Sequence, residues 1–484
     1  NTQKTTFQLN IVDLILYNIT LRMIKKQQSI NNRYLILIAL VAAMGGFLFG
    51  YDWVVIGGAK AFYEIYFSID NIPWLQGWVM ASAILGCLIG VAVSGSLTDK
   101  YGRKSMFFVA ALIFTVSAIG TGTVSTLNWF IFYRIFGGIG IGLASNISPM
   151  YISEISPPSI RGRFITFYQL AVVLGILSAQ IANWLIAHPV VPGESILSSW
   201  NGQMGWRWMF WAETIPALFF FVLIFFIPES PRWLASKREY EKALSVFTRM
   251  KDRSFAQDQL NEIKVTLSLT TERIPFGYLF KGKLARIVII GITIAALQQW
   301  CGINVIFNYA QEIFSAAGYN VSDMLFNIVI TGIVNVVFTF VGMYTVDKLG
   351  RRSLMLFGTI GLTLIYLLLG AGYFFRIEGI AMLLLVVLAI ACYAMTLAPV
   401  TWVVIAEIFP TKIRGLAMAV STFALWAACF VLTYTFPLLN KLLGSYGTFW
   451  LYGLICLAGF IFIKVNLPET KGKTLEQIEK EILE

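Results

Sequence analysis

The sequence predicts an all-α membrane protein: twelve transmembrane helices in two six-helix parallel repeats, joined by a cytosolic helical linker. Three observations predict this. Of the 484 residues, 58% are hydrophobic and 13% charged, against about 45–50% apolar and about 25% charged in soluble domains, and the mean hydropathy is +0.74. Apolar runs long enough for the ~20 residues a bilayer crossing needs recur along the chain. Polar motifs in the first half return in the second at a nearly constant offset. An ordinary soluble enzyme, a disordered chain, a coiled coil and collagen are excluded, and twelve spans of ~20 residues leave no room for a large soluble domain.

The elements follow in order. Residues 1–33 read as an N-terminal tail, in which the apolar patch from Phe7 to Leu16 is broken by Asp13 and followed by no small-residue cleavage site, so a secretory signal is not expected. Hydropathy places the N-terminal six-helix half at 34–227, with spans near 34–62, 74–97, 105–124, 127–153, 163–188 and 206–227. Residues 228–283 form the long charged stretch, carrying Arg232, Lys237, Arg238, Glu239, Glu241 and Lys242 at partly helical spacing, and read as cytosolic helices. The C-terminal half at 284–467 has spans near 284–317, 323–346, 353–373, 380–408, 416–439 and 447–467. Residues 468–484 are a tail. Alternate loops hold the cations, among them Arg103, Lys104, Arg161, Arg163, Lys348, Arg351, Arg352, Lys412 and Arg414, which places both termini and the linker in the cytosol by the positive-inside rule.

The halves echo each other. Gly95 to Lys104 (GSLTDKYGRK) returns as Gly342 to Arg352 (GMYTVDKLGRR), an offset of 342 − 95 = 247. Glu154 with Arg161-Gly162 returns as Glu407 with Arg414-Gly415, and Pro228-Glu229-Ser230 as Pro468-Glu469-Thr470. Ordered echoes of this kind indicate a duplicated unit. The net charge of +11 does not point to nucleic acid, because the cations sit in short clusters between apolar runs and not on one soluble face. The five cysteines lie in apolar runs without paired spacing and His188 is the single histidine, so no disulfide framework, zinc site or histidine triad is indicated. No cofactor is expected.

The combination of Gly-Arg-Lys/Arg loops after spans 2 and 8, Arg161-Gly162-Arg163, Pro-Glu-Ser-Pro-Arg, Gln298-Gln299 followed by Gly302-Ile303-Asn304, and Pro-Glu-Thr-Lys-Gly resembles the sugar porter family of the major facilitator superfamily over about residues 34–475. The resemblance covers glucose facilitators and bacterial xylose or arabinose proton symporters, and implies the major facilitator fold.

Polar residues inside apolar spans cost free energy unless they face a cavity or a partner. Gln298, Gln299 and Asn304 fall within two turns of one helix, and carboxamides both donate and accept, which suits a neutral polyhydroxyl ligand. Gln169 and Asn335 add amides from spans 5 and 8. Trp402 and Trp426 offer faces on which a sugar ring can stack. The resemblance carries Gln169, Gln298, Gln299, Asn304 and Asn335 onto sugar-contacting positions, Phe49 onto the cavity wall, and Trp402, after Ala398-Pro399, onto a helix break beside the sugar. Asn308 stands where a tyrosine is usual and Leu425 replaces a usual amide, which alters the ring contacts and hydrogen bonds of the site.

The charges read as lying inside spans are Asp52, Arg134 and Glu213. The resemblance puts Asp52 at the proton-accepting position of symporters, with Arg134 as its partner. Acidic Asp99, Glu154, Asp347 and Glu407 lie at cytosolic helix ends beside arginines. With Arg103, Arg161, Glu229, Arg232, Arg351 and Arg414 they read as a cytosolic gate that clamps helices together, or as fixers of loop topology. The resemblance therefore implies a secondary active transporter carrying a pentose or hexose with a proton by alternating access, with passive uniport as the alternative. A membrane sugar sensor and a membrane-embedded enzyme are the remote alternatives. The expected partners are the monosaccharide, the proton and membrane lipid, without nucleic acid. A monomer in a bacterial cytoplasmic membrane is expected.

Overall fold

The computed structural model describes residues 31–157, 161–189, 195–269, 275–410 and 413–471. Most of the two tails lies outside them. Among the described residues the chain is helical throughout. Spanning helices α1 to α5 run Asn32–Tyr66, Pro73–Tyr101, Arg103–Thr123, Leu127–Ile155 and Arg161–Ile186. Helix α6 opens with a π turn at Asn201–Gly205 and continues through Trp206–Ala212 and Thr214–Leu223. The linker contributes Pro231–Ser236, Tyr240–Met250 and Arg253–Leu269.

Helix α7 is in three pieces, Gly282–Trp300, Ile303–Asn308 and Ala310–Ala316, and α10 in two, Ile380–Met395 and Leu397–Ile408. Helices α8 and α9 are Val321–Leu349 and Arg351–Phe374. The long helix Arg414–Asn466 contains one non-helical residue, Gly444, at φ 67° and ψ 171°. Only glycine adopts that conformation readily, so it divides α11 (414–443) from α12 (445–466). Twelve spans result, as the hydropathy predicts. In a bilayer every backbone group must be bonded within its own helix or to a neighbour, which is why the breaks in α7 and α10 matter.

Within the first half α1 packs on α5 and α2 on α4. Gly86 and Gly90 of α2 lie directly against Gly138 and Gly142 of α4, small residues one turn apart that let two helices approach to backbone contact. The halves meet along α2 with α11 and α5 with α8, which are equivalent pairs in the duplicated unit. Gly102 and Gly350 begin α3 and α9 at φ 91° and 89°, so the Gly-Arg motif is a backbone requirement met identically in both repeats. The end of the bundle bearing these glycines and the linker helices is called the linker face below.

Candidate functional site

Two polar centres lie inside the bundle. The first belongs to the N-terminal half. Asp52, Arg134 and Glu213 are each 2% exposed. Asp52 Oδ1 accepts a hydrogen bond from Arg134 Nη1, and the same guanidinium lies 5.7 Å over the ring of Phe210. Gly137, one turn beyond Arg134, leaves room for the carboxylate: a Cβ there would sit 3.5 Å from Asp52 Oδ2. Glu213 is within electrostatic reach of both. It occupies the join between the two segments of α6, where Pro216 has no N–H to offer the carbonyl four residues back. Asp52 Oδ2 and Arg134 Nε have no hydrogen-bond partner among the described residues. Two carboxylates thus share one guanidinium in a dry setting, where gain or loss of a proton has large consequences.

The second centre belongs to the C-terminal half and is neutral. Helix α7 breaks at Gly302, which is left-handed at φ 82°. Gln298 and Gln299 end the segment before the break and Asn304 opens the one after it. Asn304 Nδ2 donates to Gln299 Oε1 across the break, Gln299 Nε2 donates to Gln298 Oε1 at 2.5 Å, and Gln298 Nε2 donates to Tyr393 Oη of α10 at 2.6 Å. The amides form a chain of convergent donors and acceptors around a discontinuous helix. Asn308 is buried and its Oδ1 finds no partner among the described residues.

An aromatic cluster joins the halves beside these amides. Phe49 and Trp53 of α1 lie 5.7 Å, ring centroid to ring centroid, from Trp426 of α11. Trp402 is not part of it. It stands 38% exposed on Leu397–Ile408, beyond a break at Thr396 (φ −123°, ψ −88°). Pro399 withholds the amide that would have bonded the Met395 carbonyl, which explains the break. Gln169 is half-buried on α5 and Asn335 is buried on α8. Neither joins the Gln298–Gln299–Asn304 chain.

On the linker face the predicted gate residues form two copies of one network. Arg103 Nε and Nη2 donate to the two oxygens of Glu154 at 3.0 and 2.9 Å, and Ser230 Oγ donates to Glu154 Oε2 at 2.6 Å. Asp99 joins at 3.4 Å. Glu229 accepts the backbone N–H groups of Arg103 and Lys104 at 2.9 and 3.1 Å, capping α3 at its positive end. In the second copy Arg351 Nη2 donates to Glu407 at 3.1 Å, Thr470 Oγ1 donates to Glu407 at 2.6 Å, and Glu469 accepts the N–H groups of Arg351 and Arg352 at 2.9 and 3.2 Å. Each network closes within its own half. Arg232 is exposed and lines a cavity of about 170 Å³ beside Glu154, and Arg414 Nε bonds the carbonyl of Phe409. The side chains of Arg161 and Asp347 lie outside the described residues.

The reading of in-span charges needs correction. Lys60, inside the predicted first span, is 2% exposed and ion-pairs with Glu64 at 2.8 Å and with Glu312 of α7. Arg207, inside the predicted sixth span, is buried and holds the carbonyls of Gly122 and Val124 at 2.9 and 2.6 Å. Trp53 and Tyr393 were likewise not singled out. Trp53 had a signal, lying next to Asp52 and four residues after Phe49. Tyr393 had none.

The family described as "Sugar (and other) transporter" matches residues 38–482. The chain is 36% identical to the D-xylose-proton symporter of Escherichia coli K12, over 93% of this chain and 96% of that one. It is 39% identical to the glucose transport protein of Synechocystis, over 93% and 98%. The inward-open conformation of the xylose transporter XylE from E. coli superposes with a TM-score of 0.81 at 34% identity, covering 93% of this chain and 100% of that one. With eleven helices among the described residues long and apolar enough to cross a bilayer, one of them double, this multi-pass membrane protein belongs to the sugar transporter family of the major facilitator superfamily.

Proposed function

We propose that this protein is a proton-coupled monosaccharide symporter in which the halves 34–227 and 284–467 rock about a central site. The sugar is held by Gln298, Gln299 and Asn304 against the aromatic wall of Phe49, Trp53 and Trp426. Gln169, Asn308, Asn335 and Trp402 complete the cavity as the halves move. The linker 228–283, the tails 1–33 and 468–484 and the linker face are cytosolic, where the positive loops place them.

The observation that carries the reading is the buried Asp52–Arg134 pair with Glu213 beside it. A passive carrier of a neutral sugar has no need of an intramembrane carboxylate, and burying one is costly. A proton carrier needs a group whose proton affinity changes between states. Arg134 moving toward or away from Asp52 supplies that change, because a nearby guanidinium favours the carboxylate and desolvation favours the acid. When the outward cavity wets Asp52, the proton binds, the neutral acid is occluded with the sugar, and the inward state releases both.

The test is uphill uptake of labelled pentoses and hexoses into proteoliposomes, acidic outside, by wild type and Asp52→Asn. The variant is expected to lose accumulation while retaining sugar binding and exchange. Equal accumulation by both proteins would remove proton coupling through Asp52 and leave a uniporter.

A further inference from the structure

Opposite the linker face, α1 and α7 end together. Gly57 of α1 sits against the carbonyls of Phe307 and Asn308. One turn on, Lys60 is sealed between two carboxylates, Glu64 of its own helix and Glu312 of the other half, with the Tyr309 ring 5.5 Å from its ammonium. Glu64 also accepts a hydrogen bond from Gln76 of α2 at 3.1 Å. Among the described residues this is the ion pairing that crosses between the halves. Lys60 and Glu312 are 312 − 60 = 252 residues apart, within the spread of offsets that relates the two repeats. Equivalent segments of α1 and α7 therefore face each other across the axis of the duplication.

The two carboxylates are not equivalent. Glu64 is four residues from Lys60 on the same helix, so it stays with the lysine however the halves move, and its side chain is 8% exposed. Glu312 rides on the other half and is 28% exposed. A buried lysine left alone would be severely penalised. Here it keeps one partner in either arrangement, while the second partner can be released into a widening, hydrated seam. Glu64 and Glu312 also compete: each draws the ammonium from the other, and their like charges repel across the seam.

We propose that Lys60, Glu64 and Glu312 form a detachable latch that holds the halves closed on the face opposite the linker, with Glu312 as the releasable contact and Glu64 as the retaining one. The inference rests on the alternating-access reading above and adds to it the residues that set its resting position. It makes a prediction that a fixed structural ion pair does not. Glu312→Gln weakens the latch. Glu64→Gln strengthens it, since Lys60 then has Glu312 alone and the repulsion between carboxylates is gone.

The experiment measures distances between spin labels at exposed Asn71 and Ser315 in nanodiscs, without substrate. Relative to wild type, Glu312→Gln is expected to raise the ratio of separated to closed populations roughly threefold or more, and Glu64→Gln to lower it. The two glutamines are near-isosteric and keep a polar group at each site. Lys60→Glu opens the seam by placing three carboxylates together, and Lys60→Glu with Glu312→Lys returns it toward closed. Shifts of the same sign in both glutamine variants, or no shift in Glu312→Gln, would overturn the latch. Sugar uptake is read separately: opposite shifts in a wild-type protein that moves no sugar would keep the latch and discard the sugar reading.

Discussion

The two polar centres differ in kind. The N-terminal centre is charged and closed on itself: Asp52, Arg134 and Glu213 are all nearly inaccessible and all come from α1, α4 and α6. The C-terminal centre is neutral, built on the broken α7 with Tyr393 of α10, and its amides bond mostly to one another. A duplicated six-helix unit has thus diverged into a half suited to a proton and a half suited to hydroxyl groups. They meet only through the rings of Phe49, Trp53 and Trp426, a contact that can pass displacement between them without mixing their chemistry.

The comparison breaks most readily at Arg134. Arg134→Met leaves Asp52 and Glu213 buried without a counter-charge, and removal of one partner of a buried pair costs ~3–5 kcal/mol. Unfolding of the purified protein in detergent should show a loss of that size, and adding Asp52→Asn should recover a substantial part. A loss below ~1 kcal/mol would mean that the centre is wet. In the neutral centre, Gln299→Ala removes a group bonded to both Gln298 and Asn304, and weaker sugar binding by ~1–3 kcal/mol is expected. Calorimetry checks it, with stability changing less than in Arg134→Met.

Much of this was legible in the sequence for a physical reason. A bilayer forces long apolar runs, so eleven of the twelve span positions are recovered closely, and the sixth begins a turn earlier because the π turn at Asn201–Gly205 extends it. Duplication makes Arg103, Glu154, Arg351 and Glu407 visible twice. Lys60 and Glu312 were missed because each lies near a predicted span end, where a charged side chain reads as snorkelling to water. That both point inward and meet follows from the relation between the halves, which a linear pattern does not contain. The separation of Trp402 from Trp426 has the same origin: residue type marks both as aromatic platforms, but only the packing of α1 on α11 selects the second.

The linker-face networks offer a finer contrast, since they are copies. Glu154 accepts two bonds from Arg103 and one from Ser230, with the pair 9% and 7% exposed. Glu407 and Arg351 are 25% and 14% exposed. Glu154→Gln should therefore cost more stability than Glu407→Gln, because a more buried pair leaves a more poorly solvated arginine when it is broken, whereas pairs open to water are worth only ~0–1 kcal/mol. Melting of the two single variants side by side decides it, and equal losses would show that burial does not distinguish the copies.

The smallest effect expected separates Glu229 from Glu469, the carboxylates that cap α3 and α9. Burial pushes Glu229 above the usual carboxylate range despite three backbone N–H donors. Burial acts on Glu469 too, but the N–H groups of Lys471, Arg351, Ser353 and Thr470 outweigh it and hold the group below that range. The signs of the pH dependence are then opposite. A carboxylate whose folded value is raised binds its proton more tightly when folded, so its contribution to stability improves as pH falls through that raised value. One whose folded value is depressed contributes fully above the unfolded value, about 4.3 for glutamate, and loses that contribution as pH falls through the folded one. Glu469→Gln should accordingly lower the melting temperature at pH 7, with the deficit shrinking toward pH 4. Glu229→Gln should show a smaller deficit or a gain at pH 7, moving against the variant as the pH falls and wild-type Glu229 takes up its proton. Melting of both variants across pH 4 to 8 tests this, and parallel curves would mean that the two caps carry charge alike and that the copies have not diverged electrostatically.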